Sequence, residues 1–599
     1  MPRDRLSDIF LRFDFADPAS QGPLIFSRPL AVLEAHELDE IPALFKRLDG
    51  ERQRGRYAAG FVSYEAAPAF DRALETHDRV PGLPLVWFGI FESADADHDT
   101  IDVNTAAPIE PVTWTPDLDE RTYSKNVAAI REAILRGDVY QVNHTFRLEA
   151  SVDPGSLPVL YRRLREAHQP PYAALLSTGR WHILSLSPEL FLRIDGTHIV
   201  SRPMKGTTGR GRWPDEDREQ AARLAGSGKD RSENVMIVDL VRNDLGRIST
   251  VGSVQVPALF DLERYPALWQ MTSTVVGRLQ PGTSSFDVLA ALFPAGSITG
   301  APKSSAMRAI HALEASPRGV YTGAIGYFAP DAARFNVAIR TALVDAHTGR
   351  MTAGIGGGVT WESTAENEHA EALAKAAFLS VPPDIELIET MRLTRTGITR
   401  LERHLQRLAD SAAFLDFHCD LEAVRAHLDE VLRAHADGGL YRVRLLSGRS
   451  GVSRVEVTPF APAPPHPHVA LARTPVSSRD KTLFHKTTNR RTYEQARLEQ
   501  PDVFDVLLWN EREEVTEFTI GNVVVEIDGV RCTPPRSSGL LAGVFRAELV
   551  DEGIVTERVI AVNELAEARR VWLVNSLREW VEVRLTMPAP IQAGGIFRT

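Results

Sequence analysis

Cysteine is scarce: only Cys419 and Cys532 occur in 599 residues. Two thiols cannot build a disulfide framework or a cysteine zinc site, so a reducing compartment is expected. Basic charge is also short, with 68 Lys and Arg against 79 Asp and Glu for a net charge of -11. That balance excludes a general nucleic-acid binder, which needs a basic face to displace counterions. It leaves room for a local basic pocket that takes a small acidic substrate. No apolar run approaches membrane-spanning length, and Met1-Pro-Arg-Asp-Arg5 leads into no signal core. The default reading is a cytoplasmic protein. What is present is an ordinary globular composition, 43% hydrophobic and 25% charged, in a chain too long for a single core.

The chain divides at Ser380-Val-Pro-Pro-Asp384, where consecutive prolines end a helix-forming stretch. We place one domain over 1–380, a linker over 381–385 and a second domain over 386–599. In the first, residues 1–110 read as short strands and turns with a helix or two, and 95–102 as an acidic surface loop. Tyr123, Val127, Ile130 and Ile134 repeat at helical spacing with Gly137 as a stop, and 139–148 then reads as a strand. Strands are predicted over 181–186 and 198–201, helices over 229–245 and 301–315, and paired strands over 321–328 and 336–344. Gly354-Ile-Gly-Gly-Gly358 is expected to open directly into a helix with Ser363 and Glu366 as a capping box. In the second domain a strand over 385–391 precedes a helix striped by Leu401, Leu405, Leu408 and Leu415. The proline-rich stretch 459–467 reads as a loop or a hinge between lobes. No internal repeat is found.

Chemistry concentrates around Ser201-Arg-Pro-Met-Lys-Gly-Thr207. A lysine beside a glycine, after a proline that fixes the incoming backbone, can bring an ammonium and N–H groups close to a bound anion. Asp230 and Glu233 are three residues apart on one predicted helix face, as are Glu368 and Glu371. Either pair alone would decorate a surface; two pairs converging would supply the hard oxygen ligands that Mg²⁺ prefers. Glu189 follows Pro188 at a strand end, where desolvation would raise its pKa. Thr299-Gly-Ala-Pro-Lys303 is predicted to open a helix, and a helix N-terminus is a natural anion site.

Ser185-Leu-Ser-Pro-Glu189, Pro203-Met-Lys-Gly-Thr207, Lys229-Asp-Arg-Ser-Glu-Asn234 and the glycine-rich, acid-rich segment near 360 together resemble the chorismate-binding family. The resemblance implies a mixed α/β (α+β) fold of large β-sheets wrapped by helices. It also implies Glu233 and Glu371 as direct magnesium ligands, with Asp230 and Glu368 supporting. Glu189 would be the general acid/base, and Thr207, Gln141, Thr299, Tyr321, Arg340 and Gly357 would hold substrate. Members that use water carry a lysine where this chain has Gln141, so ammonia is the expected nucleophile. Lys205 matches the aminodeoxychorismate synthase branch, in which the lysine adds covalently to the ring; the anthranilate branch has alanine there. Gln270 departs from the histidine of many members, which leaves a hydrogen-bonding role and removes a proton-transfer one.

His485-Lys-Thr-Thr-Asn-Arg490, Glu514-Val-Thr-Glu-Phe-Thr-Ile-Gly-Asn522 and Leu540-Leu-Ala-Gly-Val-Phe-Arg546 resemble class IV aminotransferases, a two-lobed pyridoxal phosphate fold. That resemblance implies Lys486 for the Schiff base and Glu517 against the pyridinium nitrogen. Arg407, Gly543, Val544 and Ser576 would anchor the phosphate. Arg442 or Arg444 would hold a substrate carboxylate; only one is expected to face inward, with Arg442 preferred. The class covers aminotransferases and aminodeoxychorismate lyase, and fusion to the first domain selects the lyase. The chain is therefore expected to make p-aminobenzoate from chorismate and ammonia, with Mg²⁺ and pyridoxal phosphate as cofactors. Neither cysteine sits in a nucleophile elbow, so a separate glutamine amidotransferase subunit is the expected ammonia source. The second resemblance also admits a homodimer through that domain. The rival expectations are an anthranilate synthase fused to an amino-acid aminotransferase, and a chorismate-binding regulatory module on a pyridoxal enzyme.

Overall fold

The computed structural model describes residues 9–16, 22–96, 112–435 and 438–586. They form two compact units, one of residues 1–210 and 220–382, the other of 211–219 and 383–599. The short segment 211–219 thus belongs with the second unit, where Trp213 stacks on Phe484 at 5.1 Å between ring centroids. The chain passes between the units near 382, and 211–219 lies outside the first unit.

The first unit is built on two ten-stranded sheets. One carries strands Gln141–Ser151, Arg350–Val359, Thr341–Asp345, Trp181–Ser187 and Tyr172–Ser177 side by side. The other carries Met204–Gly209, Leu268–Arg278, His198–Arg202, Leu190–Asp195, Ala332–Val337 and Ala324–Phe328. Neighbouring strands in both run antiparallel. Residues from both sheets, among them Phe13, Phe61, Trp87, Ile183 and Ile325, fill a common core between them. Helices Glu120–Leu135, Leu157–His168 and Lys303–Leu313 pack on one sheet through Tyr123, Leu160 and Ile310. Helices Ile41–Gln53, Gly228–Gly246 and Ser285–Leu292 pack on the other. Strands so covered are buried on both faces and carry near-continuous apolar runs.

Several sequence expectations are corrected. The stretch 336–344 is two strands, not one: Ala332–Val337 lies in one sheet and Thr341–Asp345 in the other. The chain crosses between them with Arg340 at φ 49. The glycine run 354–358 belongs to strand Arg350–Val359 and does not open a helix. Its backbone lies against Gln141–Ser151, and a Cβ on Gly356 would stand 2.2 Å from the His144 carbonyl oxygen. The helix after it, Ala365–Lys375, is capped by Thr364, whose side chain accepts from Asn367 N. Ser363 donates instead to Glu368, at 2.6 Å. Of the expected acidic loop, Asp95–Ala96 form a strand and 97–102 lie outside the described residues, as do residues 1–5.

The second unit has a four-stranded sheet holding Leu387–Thr394, Tyr441–Ser447 and Ser453–Pro459, and an eight-stranded sheet. The leucine-striped helix Leu401–Leu415 packs on the smaller sheet through Leu405 and Leu408. Residues 460–467 connect the two sheets. Among the described residues, no helix is long and apolar enough to cross a membrane.

Gly356→Ala should lower stability by about 1–3 kcal/mol, because the added methyl meets backbone and cannot be accommodated by a rotamer change. Gly209→Ala, where a Cβ meets nothing within 4 Å, should change it by less than about 0.5 kcal/mol. Urea unfolding of the two variants checks the difference.

Candidate active sites

In the first unit the strand Met204–Gly209 brings Lys205 to the glycine run. A Cβ built on Gly358 would lie 2.0 Å from Gln141 Nε2 and 2.9 Å from Lys205 Nζ, so amide and amine meet over bare backbone. Asn234, on helix Gly228–Gly246, donates to the Lys205 carbonyl at 3.2 Å, and Gln270 donates to the Gly206 carbonyl at 2.8 Å. Gln270 also accepts from the Thr207 hydroxyl at 2.9 Å. A Cβ on Gly206 would stand 3.0 Å from Asp230 Cβ, which seats the lysine loop on the first turn of that helix. Burial pushes the Lys205 pKa down, helped by the like charge of Lys375 and opposed by Glu233, Glu189 and Glu371.

Glu189 occupies the point where the chain passes from one sheet to the other. Val337 N donates to its carbonyl at 3.1 Å, and Leu186 N donates to the Arg340 carbonyl at 2.9 Å, so the two crossings lie side by side. Its carboxylate is buried and accepts from the Ser297 hydroxyl at 2.5 Å. Desolvation pushes its pKa up to about 7, against the pull of Ser297 and Lys205. Gly357 faces the acidic helix, since a Cβ there would be 3.2 Å from Glu368 Oε2 and 3.8 Å from Glu371 Oε1. Glu233 feels the charges of Asp230 and Glu368, and burial raises its pKa. Lys375 pairs with Glu371 at 2.8 Å and donates to the Gly356 carbonyl at 3.0 Å. Among the described residues, no three acidic or histidine side chains already form a metal cage. The donor set nevertheless suits a hard cation: every candidate donor is a carboxylate oxygen, and Glu368 Oε2 is buried with no hydrogen-bond partner.

In the second unit a cavity of about 330 Å³ is lined by Lys486, Glu517, Arg407, Gly543, Val544 and Ser576. Burial brings the Lys486 pKa down to about 8, with Arg407 and Arg490 adding to the effect against Glu389 and Glu517. Glu517 accepts from the Tyr493 hydroxyl at 2.8 Å, Leu541 N at 3.0 Å and Asn522 Nδ2 at 3.1 Å. Its burial still raises its pKa to about 7. Asn522 also accepts from Gly543 N at 3.2 Å, and a Cβ on Gly543 would lie 2.1 Å from that oxygen, so a side chain there would displace the Asn522 amide. Gly543 caps helix Val544–Asp551, whose free N–H groups face an anion naturally. Arg407 is gripped by Glu389 through two nitrogens, at 2.8 and 2.6 Å. The chemistry fits pyridoxal phosphate: an amine of lowered pKa, a buried carboxyl, and a basic, N–H-rich end.

Residues 12–381 match the chorismate binding enzyme family. The chain belongs to that family. Residues 386–586 match the amino-transferase class IV family, which implies pyridoxal phosphate. Aminodeoxychorismate synthase component 1 of Escherichia coli (strain K12) is 36% identical over 340 residues, covering 53% of this chain and 75% of that protein. Anthranilate synthase component 1 2 of Haloarcula marismortui is 40% identical over 258 residues, covering 42% of this chain and 48% of its own. A crystal structure described as a 2,3-dihydroxybenzoate-specific isochorismate synthase from Bacillus anthracis shares the fold, with a TM-score of 0.52 and 24% identity over 62% of this chain and 96% of that one. Overall similarity to chorismate-binding enzymes therefore does not choose among chemistries; the site residues must.

The structure gathers Gln141, Lys205, Asp230, Glu233, Glu368, Glu371 and the glycine run into one region of this chorismate-binding unit. Two placements differ from expectation. Thr299 does not open a helix: its hydroxyl donates to the Ala295 carbonyl at 3.2 Å, and the helix starts at Lys303, which pairs with Asp244 at 2.9 Å. Tyr321 packs against Gly354 beneath the Arg147 guanidinium and lines a separate cavity of about 420 Å³ with Arg180 and Trp181. In the class IV unit, Arg442 and Arg444 both line the cavity around Lys486. The expectation that only one faces inward fails because residues two apart on a strand share a face, while Val443 and Leu445 are buried on the other. Sequence reasoning missed Lys375, Asn234, Glu389 and Tyr493. Lys375 alone left a signal, four residues after Glu371 on a helix.

Because Lys486 titrates near 8, its neutral amine is populated above that pH and not only above 10. The rate of holoprotein formation from apoprotein and pyridoxal phosphate should rise through pH 8 and level off by about pH 9. Absorbance of the bound cofactor across pH checks this; a rise centred near pH 10 would contradict it.

Proposed function

We propose that the chain is a bifunctional enzyme of p-aminobenzoate synthesis, converting chorismate and ammonia to aminodeoxychorismate and then releasing pyruvate from it. The observation that carries the first half is the meeting of Lys205 Nζ and Gln141 over Gly358. A glutamine there cannot activate water as a base, and a lysine of lowered pKa can act as a nucleophile. Lys205 Nζ bonds to ring C2 while the C4–O bond breaks and Glu189 delivers a proton to the departing hydroxyl, which leaves as water. Ammonia then bonds to C4, the C2–N bond breaks, and Lys205 departs as the amine. The Glu189 pKa of about 7 keeps a proton available near neutral pH. Glu233 and Glu371, with Asp230 and Glu368 beside them, would hold Mg²⁺, which neutralises a substrate carboxylate. Cys532 is buried and Cys419 is half-buried with a thiol pKa raised by burial, which supports ammonia from a separate glutamine amidotransferase subunit.

In the second half, pyridoxal phosphate supplies an electron sink next to the substrate amine. Lys486 removes the C4 proton, and loss of pyruvate leaves an aromatic ring. Glu517, fixed by Tyr493, Asn522 and Leu541 N, would face the cofactor's ring nitrogen, and Gly543, Val544, Ser576 and Arg407 would hold its phosphate. Product of the first reaction is substrate of the second, which supports this choice within the class.

Purified protein with chorismate, Mg²⁺ and ammonium should give aminodeoxychorismate without pyridoxal phosphate, and p-aminobenzoate and pyruvate with it, as identified by mass. Glutamine in place of ammonium should give neither; glutamine-dependent turnover by the pure chain would refute the reading of the two cysteines.

Lys205→Ala should lose the covalent route, lowering aminodeoxychorismate formation at least about a hundredfold, with some anthranilate formed by direct attack at C2. Intact-protein mass of the wild type with chorismate and Mg²⁺, without ammonium, should show an adduct that maps to Lys205. An undiminished rate in Lys205→Ala would reduce the lysine to a binding residue.

A further inference from the structure

The cavity around Lys486 holds more positive charge than a cofactor phosphate uses. Arg407 is committed to Glu389, Arg444 pairs with Glu456 at 3.3 Å, and Arg490 donates to the Thr519 carbonyl and lies over the Tyr493 ring at 4.6 Å. Arg442 and Arg578 remain. Both line the cavity. Arg578 Nε is buried and unpartnered. Its position is nonetheless built: Arg578 N donates to Asn575 Oδ1 at 2.7 Å, and its guanidinium lies 5.1 Å from the centre of the Phe460 ring. Burial and then the like charge of Arg442 push its pKa down, against the opposite charge of Asp505, so the two cations are within electrostatic reach of each other. Arg578 also borders a neighbouring cavity of about 320 Å³ under Phe460 and the Pro462–Pro465 turn, which leaves room beyond it.

Two cations on one cavity wall repel, and the half-buried Arg578 is offset only by the more distant charge of Asp505, with which it forms no ion pair among the described residues, while Arg442 keeps its access to water. A ligand carrying two carboxylates would relieve both, and arginine's planar fork suits each carboxylate bidentately. We infer that Arg578 and Arg442 form a carboxylate clamp in the cofactor cavity, which selects substrates bearing two carboxylates over those bearing one. This rests on the lyase reading, in which the substrate keeps both carboxylates of chorismate, and it separates that substrate from simple monocarboxylic amino acids.

The test uses pyridoxal phosphate holoprotein and two probes on one ring, isophthalate as the dianion and benzoate as the monoanion, titrated by calorimetry. The wild type should bind isophthalate at least about tenfold more tightly. Arg578→Gln and Arg442→Gln should each weaken isophthalate about tenfold to a hundredfold, the worth of a charge-assisted contact, and affect benzoate less. Arg578→Lys, which keeps charge and loses the fork, should fall between. With aminodeoxychorismate as substrate, the glutamine variants should raise KM more than they lower kcat. Cofactor absorbance shows whether each variant still loads. An unchanged isophthalate-to-benzoate ratio in Arg578→Gln, or in Arg578→Lys should the glutamine variant fail to load, overturns the clamp. If the wild type shows the Arg578-dependent preference but releases no pyruvate from aminodeoxychorismate, the clamp stands and the lyase reading falls.

Discussion

The close approach of strand Arg350–Val359 to strand Gln141–Ser151 is the constraint on which the chorismate-binding unit depends. Gly354, Gly356 and Gly358 have no room for a Cβ: Tyr321, the His144 carbonyl and Gln141 occupy that space. The same bare backbone that lets the sheet close also lets Lys205, Gln141 and the acidic helix reach a common point. Sheet closure and site assembly are one event, and a side chain added there would disturb both.

Burial acts on charges in two opposite ways in this molecule. Glu314 is buried with Arg318 and Arg147 at 2.6 and 3.3 Å, and their charges hold its pKa at about 2 despite desolvation. That group is neutralised and structural. Glu189 and Glu517 are buried and Lys205 and Lys486 half-buried, all with weaker compensation, and desolvation dominates each of them. A carboxyl moved up toward neutrality and an amine moved down toward it are the states that proton transfer and nucleophilic attack require. For the carboxylates the contrast comes from partners, since Glu314, Glu189 and Glu517 are all buried.

The class IV unit arranges its cavity by the same logic with different parts. Glu389 neutralises Arg407 and also meets His404 at 2.6 Å, while Asn522 pins the Gly543 turn from below. These fixed groups leave Lys486, Arg442 and Arg578 as cavity cations without a direct ion pair among the described residues. Rigid support around a few frustrated groups is how a site stays poised without its ligand.

Family membership was legible in the sequence, because it rests on motifs whose residues are adjacent in the chain. Local periodicity also located the helices that begin at Glu120 and Leu401. It failed where one stretch serves two sheets, as at 336–344, and where a glycine run forms a doubly covered strand with no alternation to read. Asn234 and Glu389 gain their roles only from partners distant in sequence, so no local pattern marked them, whereas Lys375 left only its helical spacing to Glu371. The sequence by itself determined which chemistries are available: an amine beside glycine, acids in pairs, and a lysine in a pyridoxal motif. Only the tertiary structure decided which of those groups face one another, which are neutralised and which are left charged out of water, because desolvation and pairing are properties of three-dimensional neighbours.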